Sequence, residues 1–283
     1  MTSTPDTDHA LRTISDDGSF RVLIASTLQT ARGVLDAQAP GPELRPLVGD
    51  LVSATVLLRL TMSPDYRLQA ILQNRSAGNI VADSHPDGTT RGLVRLKSGA
   101  PIEMGESTHF SVHRTMFGGD LHQGVVETSA NQSLADVVAG YLHRSEQISS
   151  VVGLSHSFDG DMLVSCGGYI VQLLPNSDEA TLALMTARLE QFPPPSELFE
   201  TCGHDPEAIA RELYGPIGFH TLGTDQFHSG CLCNKDRILD ALATLSQTEI
   251  EELATDQFLE IDCEYCTTTH RIETALLSQP QAP

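Results

Sequence analysis

Four cysteines in two tight pairs carry the strongest chemical signal in this chain. Cys231-Leu232-Cys233 is followed by 29 residues and then by Cys263-Glu264-Tyr265-Cys266. Zinc takes four ligands in a tetrahedron, and thiolates are its preferred structural ligands. A short loop holding two cysteines supplies two ligands at once, so two such loops complete a site. The expected ligand set is Cys231, Cys233, Cys263 and Cys266, holding one Zn²⁺. Four sulfurs leave no open position, which argues against a catalytic zinc. Two other readings of these residues exist. They are small buried hydrophobes without a metal, or a thiol oxidoreductase built on Cys263 and Cys266. The oxidoreductase needs an exposed low-pKa thiol in a thioredoxin-like setting, and a C-terminal pair beside a second pair suits a metal better. His228 and His270 flank the motif and could replace a ligand; the simpler reading makes both exposed loop histidines.

Other candidates carry less. Gly153-Leu154-Ser155-His156-Ser157 lacks the final glycine of a nucleophile elbow and lies within a strand pattern. Asp159-Gly160-Asp161 reads as a turn, since no Glu follows at EF-hand spacing. Gly118-Gly119 and Gly167-Gly168 open no helix, so neither reads as a phosphate cradle. Cys166 lies in an apolar strand and reads as buried and inert. Cys202, at a helix end, reads as structural rather than reactive.

The elements that must position the cysteine pairs are short. Lys235–Leu245 reads as a helix with Ile238, Leu239, Leu242 and Leu245 on one face. A second helix follows, with Ser246 as cap and Glu249 in the capping-box position, and then a strand over Phe258–Asp262. A unit of about 50 residues rarely stands alone without a staple.

The rest of the chain is organised differently. Residues 1–17 read as a flexible tail. Phe20–Ser26 reads as a strand, Leu28–Gln38 as a helix stopped by Pro40-Gly41-Pro42, and Glu43–Leu60 as a helix with an apolar stripe. Leu68–Gln73, Asn79–Ser84, Thr90–Leu96, Thr108–His113 and Gln123–Thr128 read as strands of an antiparallel meander. Ser133 caps a helix with Asp136 three residues on. Strands over Ser149–His156 and Met162–Leu174 follow, joined by a turn at Phe158-Asp159-Gly160-Asp161. Asn176 caps a helix running to Phe192, and Pro193-Pro194-Pro195 ends it. Ser196–Cys202 and Asp205–Tyr214 are short helices, the second with Asp205 as cap and Pro206 at its first position.

The fold class is therefore α+β, in three parts. Residues 1–175 form an antiparallel-sheet domain with packed helices. Residues 176–230 form a helical linker with little core of its own. Residues 231–283 form a small zinc-binding domain.

Composition narrows the function. The chain has 283 residues, 40% of them apolar, enough for a sizeable core. Lys and Arg total 17 against 37 Asp and Glu, a formal net charge of −20. That charge repels phosphate and disfavours nucleic acid and anionic membranes as partners. The longest apolar run, Leu47–Leu60, contains Asp50 and Arg59 and is too short for a membrane span. The first residues hold no apolar signal-peptide core. A cytoplasmic location is expected.

With these motifs in view, the sequence resembles the 33 kDa chaperonin family of bacteria, redox-regulated holdase chaperones. The C-x-C and C-x-x-C pairs stand at the family's spacing, and Ile261–Cys266 (IDCEYC) is close to its wording. Tyr141–Ile148 (YLHRSEQI) and Gly167–Pro175 (GGYIVQLLP) match its N-terminal motifs in the right order. TRGLVRL and HQGVV match more loosely. The similarity spans most of Ser19–Leu277. Asn234 stands where the family usually has a Ser-like residue, and Thr267-Thr268-Thr269-His270 stands where it usually has an aromatic.

The resemblance implies a non-enzymatic, ATP-independent stress chaperone. Residues 1–175 would be its substrate-binding platform, 176–230 a metastable linker, and 231–283 a redox switch. When reduced, the four thiolates hold zinc and the small domain stays folded over the linker. On oxidation the family forms disulfides between nearest neighbours, here Cys231–Cys233 and Cys263–Cys266, and releases the metal. The exposed apolar surface then binds unfolding client proteins. The resemblance also implies a monomer when reduced and a homodimer when oxidised. The alternative from another class is a constitutive protein-interaction adaptor with a merely structural zinc domain.

Overall fold

The computed structural model describes residues 7–97, 102–116, 118–175, 177–253 and 256–277. The chain divides into two compact units, Met1–Ser229 and Gly230–Pro283. The fold is α+β, with eight α-helices among the described residues.

The first unit is built on a ten-stranded sheet. Its elements in chain order begin with β1 (Asp8–Ser15), β2 (Phe20–Ser26), α1 (Leu28–Gln38) and α2 (Arg45–Leu60). Then come β3 (Arg67–Asn74), β4 (Gly78–Ser84), β5 (Thr89–Leu96), β6 (Thr108–Thr115), β7 (Leu121–Glu127) and α3 (Leu134–Ser145). The unit closes with β8 (Ser150–Asp159), β9 (Met162–Leu173), α4 (Glu179–Gln191), α5 (Pro195–Thr201), α6 (Pro206–Tyr214) and β10 (Phe219–Ser229). The strand order is β7-β6-β3-β4-β5-β10-β1-β2-β9-β8. Every pairing is antiparallel except a short parallel join of His228 and Ser229 to Thr89 and Thr90.

Alternation in the strands sends side chains to two separate cores. On one face Leu23, Ala25 and Ile170 meet α1, α2 and α3. The α2 helix is buried from Val48 to Leu60 except at Asp50, as expected of an apolar helix laid across a sheet. Ser133 and Asp136 form the expected capping box of α3. On the other face Leu11, Phe20, Val22, Ile24, Tyr169 and Val171 meet Met185, Leu198, Phe199, Ile209, Leu213 and Tyr214 of α4–α6.

Several expectations are corrected. The N-terminal stretch is not all tail: Asp8–Ser15 is a central strand between β2 and β10. Its Asp, Arg and Thr residues hid a strand that is buried on both faces, at Asp8 and Ala10 on one and at Leu11, Thr13 and Ser15 on the other. The Asp8 carboxylate accepts from the N–H groups of Gln29 and Thr30 at the start of α1. The strands after α2 are not a simple meander either, because β6 returns to the far side of β3.

The segment expected as a helical linker ends in a strand, since β10 pairs with β1 along its length. It also has a core. Leu198, Phe199, Ile209, Ala210, Leu213 and Tyr214 are buried. Apolar spacing in three short helices hid this, because the partner surface is a sheet far away in sequence. The α4 helix fits the expectation better, burying Met185 alone. Asn176, expected as its cap, lies outside the described residues. The Asp178 carboxylate accepts from Thr181 N–H and performs the capping.

The second unit holds α7 (Lys235–Leu242), α8 (Gln247–Leu253) and the two-stranded antiparallel hairpin of β11 (Phe258–Asp262) and β12 (Thr269–Glu273). The α7 helix stops short of Leu245. Strand β12 was not expected, because its Thr-His-Arg-Ile-Glu sequence carries one aliphatic residue. Among the described side chains of this unit, Ile272 is the one that is fully buried.

Candidate metal centre

Local structure delivers each cysteine to one point. Cys231 and Cys233 lie in the extended stretch before α7. Asn234 caps that helix, its side-chain oxygen accepting from Arg237 N–H at 2.8 Å, so α7 begins directly after the first cysteine pair. Cys263 and Cys266 sit in the turn between β11 and β12. Cys263 N–H donates to Thr268 O at 2.9 Å, and Thr267 N–H donates to Cys263 O at 2.7 Å. Thr267 occupies the left-handed region at φ +57°, an unfavourable place for a β-branched residue that this tight turn enforces. The second helix begins as expected, with Ser246 donating through N–H and Oγ to Glu249 Oε2 at 2.8 and 2.7 Å.

The four sulfurs all lie within 4.8 Å of one another, and all four residues are half-buried. Cys231 Sγ is 3.6 Å from Cys263 Sγ, and Cys233 Sγ is 3.3 Å from Cys266 Sγ. This group could hold a metal ion. Burial raises the Cys233 thiol, and hydrogen bonding among the four sulfurs raises it further. Burial raises Cys263 as well. Cys266 moves the other way. Burial pushes it up, but hydrogen bonding to Thr268, Cys233 and Cys263 together outweighs that and brings it down to about 6. Its sulfur lies 3.3 Å from Thr268 Oγ1. Cys266 is therefore held closer than Cys233 or Cys263 to the charged form, which binds metal and reacts with oxidants.

The two flanking histidines separate. His228 lies in β10, with its ring 3.4 Å from Thr89 Oγ1, in the first unit. His270 is not a loop residue. It lies on β12 and brings Nε2 to 3.2 Å from Cys233 Sγ. Its signal in the sequence was position alone, four residues past Cys266, with no strand pattern to orient it.

The remaining candidates are structural. Ser155 lies in β8 and is buried. Asp161, in the β8–β9 turn, pairs with Arg45 at 3.0 Å. Gly118 and Gly119, both at positive φ, lie in the β6–β7 connection. Gly167 and Gly168 are within β9. Cys166 is fully buried and its thiol is pushed up to about 12 by that burial. Burial, with Glu212 and Asp205 nearby, raises Cys202 too. Both thiols are thereby held toward the protonated, less reactive form.

A sheet domain with two helical faces, followed by a small four-cysteine unit, is the class of protein that fold and site define. The Hsp33 protein family matches residues 8–273. The chain belongs to that family of chaperones. It is 27% identical to the 33 kDa chaperonin of Streptococcus sanguinis over 280 residues, covering 94% of this chain and 96% of that one. It is 29% identical to the 33 kDa chaperonin of Syntrophotalea carbinolica over 272 residues, covering 92% and 94%. The crystal structure of the 33 kDa chaperonin of Thermotoga maritima, an Hsp33 homologue, superposes with a TM-score of 0.79. It covers 96% of both chains at 18% identity, a likeness of fold. No helix among the described residues is long and apolar enough to cross a membrane.

Proposed function

We propose that this protein is a redox-regulated, ATP-independent holdase that binds unfolding proteins once its cysteines are oxidised. The observation that carries the reading is the pairing of four clustered sulfurs with a unit in which Ile272 is the one fully buried side chain among those described. Four thiolates suit zinc, whose bonds of about 2.3 Å to sulfur put tetrahedral sulfurs about 3.8 Å apart. The contacts of 3.3 and 3.6 Å fall just below that spacing. Cys231, Cys233, Cys263 and Cys266 would hold one Zn²⁺ in the reduced protein. Bound there, zinc would supply on the order of 10–16 kcal/mol of apparent folding energy. Ile272 alone cannot replace it.

Oxidation removes the ligands. Two thiols lose two electrons and two protons to one peroxide molecule, which leaves as two waters, and a disulfide forms. The pairing proposed is Cys231–Cys233 and Cys263–Cys266. The unit from 231 to 283, the redox switch, then unfolds. The segment 176–230 runs straight into Cys231 through β10, and it responds by loosening. Lifting α4–α6 would bare Leu11, Phe20, Val22, Ile24, Tyr169 and Val171, one continuous apolar sheet face on the platform of residues 1–175. That face offers unfolding clients a place to bind. The reading includes a cytoplasmic protein that is monomeric when reduced and dimeric when oxidised, and assigns it no catalytic reaction.

The test is to load the full chain with zinc and follow peroxide treatment with a chromogenic chelator and amide NMR. Release of one zinc per chain, with collapse of the β11–β12 resonances, is expected. Retention of zinc with an intact hairpin after four thiols are lost would overturn the reading.

A further inference from the structure

Strand β12 does more than close a hairpin. Its inward side carries His270 and Ile272, and its outward side carries the exposed Thr269, Arg271 and Glu273. Ile272 anchors the strand by burial. Arg271 stacks 3.8 Å over the Phe258 ring and pins the outer side. Register places His270 opposite Ile261, two residues before Cys263. The imidazole is thus fixed from both sides of its strand, and Nε2 meets Cys233 Sγ at 3.2 Å. That sulfur comes from the other cysteine pair. The mutually close ligand atoms are the four sulfurs and do not include His270.

We infer that His270 is a positioning residue of the metal centre, its Nε2–H donating to the Cys233 thiolate across the two halves of the site. The inference rests on the four-thiolate reading above. A thiolate has several lone pairs, and a metal takes only one. An N–H aimed at a second one fixes the direction of the sulfur and draws off part of its charge. Both the neutral Nε2–H tautomer and the imidazolium carry the proton that is needed. Outer partners of this kind are worth about 10–100-fold in metal affinity. The same bond makes Cys233 a poorer nucleophile toward oxidant, since less charge remains on sulfur. His270 therefore sets both how tightly the centre closes and how readily it opens.

The experiment compares wild type, His270→Gln and His270→Phe as full chains. Zinc affinity is measured by chelator competition, and the Co²⁺ form is examined by its thiolate charge-transfer absorption. Wild type should show four thiolates. His270→Phe should bind zinc about 10-fold or more weakly and release it faster under peroxide. His270→Gln, whose amide N–H reaches the same point, should recover most of both. Equal affinity in all three, or equal weakening in Phe and Gln, would overturn the N–H role. A wild-type Co²⁺ spectrum showing three sulfurs and one nitrogen would make His270 a ligand and also overturn it. Should His270→Phe fail to fold, the long-range ¹H–¹⁵N spectrum of zinc-loaded wild type decides. Nε2 protonated supports the inference, and Nε2 bare refutes it. Failure of wild type to bind metal would instead sink the four-thiolate reading itself.

Discussion

The ring of Phe199 lies directly over Gly167, where a Cβ atom would come within 2.4 Å of a ring carbon. Only glycine lets α5 approach β9 this closely. Gly167, within β9, is the seat for the aromatic that fastens α5 to the sheet.

That seat gives the first prediction. Phe199→Ala should cost about 3–5 kcal/mol at the α4–α6 face and free those helices without any oxidant. Limited proteolysis should then cut between residues 177 and 217 in the reduced, zinc-loaded protein. The reduced variant should already slow client aggregation. A variant as protease-resistant as wild type would show that Phe199 does not fasten this face.

The cysteine cluster gives the second. Cys263→Ser replaces a thiolate by a hydroxyl that remains protonated and binds zinc poorly. Chelator competition should show zinc held far more weakly, and the hairpin amides should exchange quickly even under reducing conditions. Tight one-to-one zinc retention by this variant would contradict the assignment of Cys263 as a ligand.

A buried ionic cluster in the first unit gives the third. Asp83 is fully buried and pairs with Arg67 at 2.7 Å and Arg91 at 2.9 Å. Burial pushes its carboxyl up, but hydrogen bonds from His85 and Arg67 more than reverse this and hold it well below the usual carboxylate range. Its stabilising contribution is present above the unfolded value near 3.9 and is lost as pH falls toward the folded value. Asp83→Asn removes the buried charge that both guanidinium groups face and should cost about 3 kcal/mol in urea melts at pH 7. The deficit should shrink in acid below pH 4. A deficit independent of pH would refute the ionic account.

His156 and Asp50 join β8 to α2 at 2.7 Å. The hydrogen bond to Asp50 raises the histidine above its usual 6.5, against the opposing pull of burial. The raised value means that the pair stabilises fully below pH 6.5 and fades as pH rises through the folded value. NMR titration should put His156 above 6.5 in wild type and lower in Asp50→Asn. An unchanged midpoint would show that the contact does not persist in solution.

The sequence made some of this plain and hid the rest for physical reasons. The cysteine spacing, the Ser133 and Ser246 caps and the apolar stripe of α2 are local features, so they could be read directly. Strand β1 was hidden because three of its five buried residues are polar and bond to other elements, such as Val22 in β2 and Thr30 in α1. The core beneath α5 and α6 was hidden because its other half, Phe20 to Ile24 and Tyr169 to Val171, lies far from those helices along the chain. His270 was visible as a residue flanking the motif, but its contact with Cys233 was not, because the two stand 37 residues apart.

In the proposed function, oxidation of four thiols converts an inert protein into a chaperone. Light scattering of a heat-unfolding client tests it most directly, with the zinc-loaded chain added either reduced or after peroxide and mild warming. Suppression of scattering by the oxidised sample alone is the predicted result. Equal suppression by both would contradict redox control and leave a constitutive binding protein with a structural zinc, and suppression by neither would contradict the chaperone activity itself.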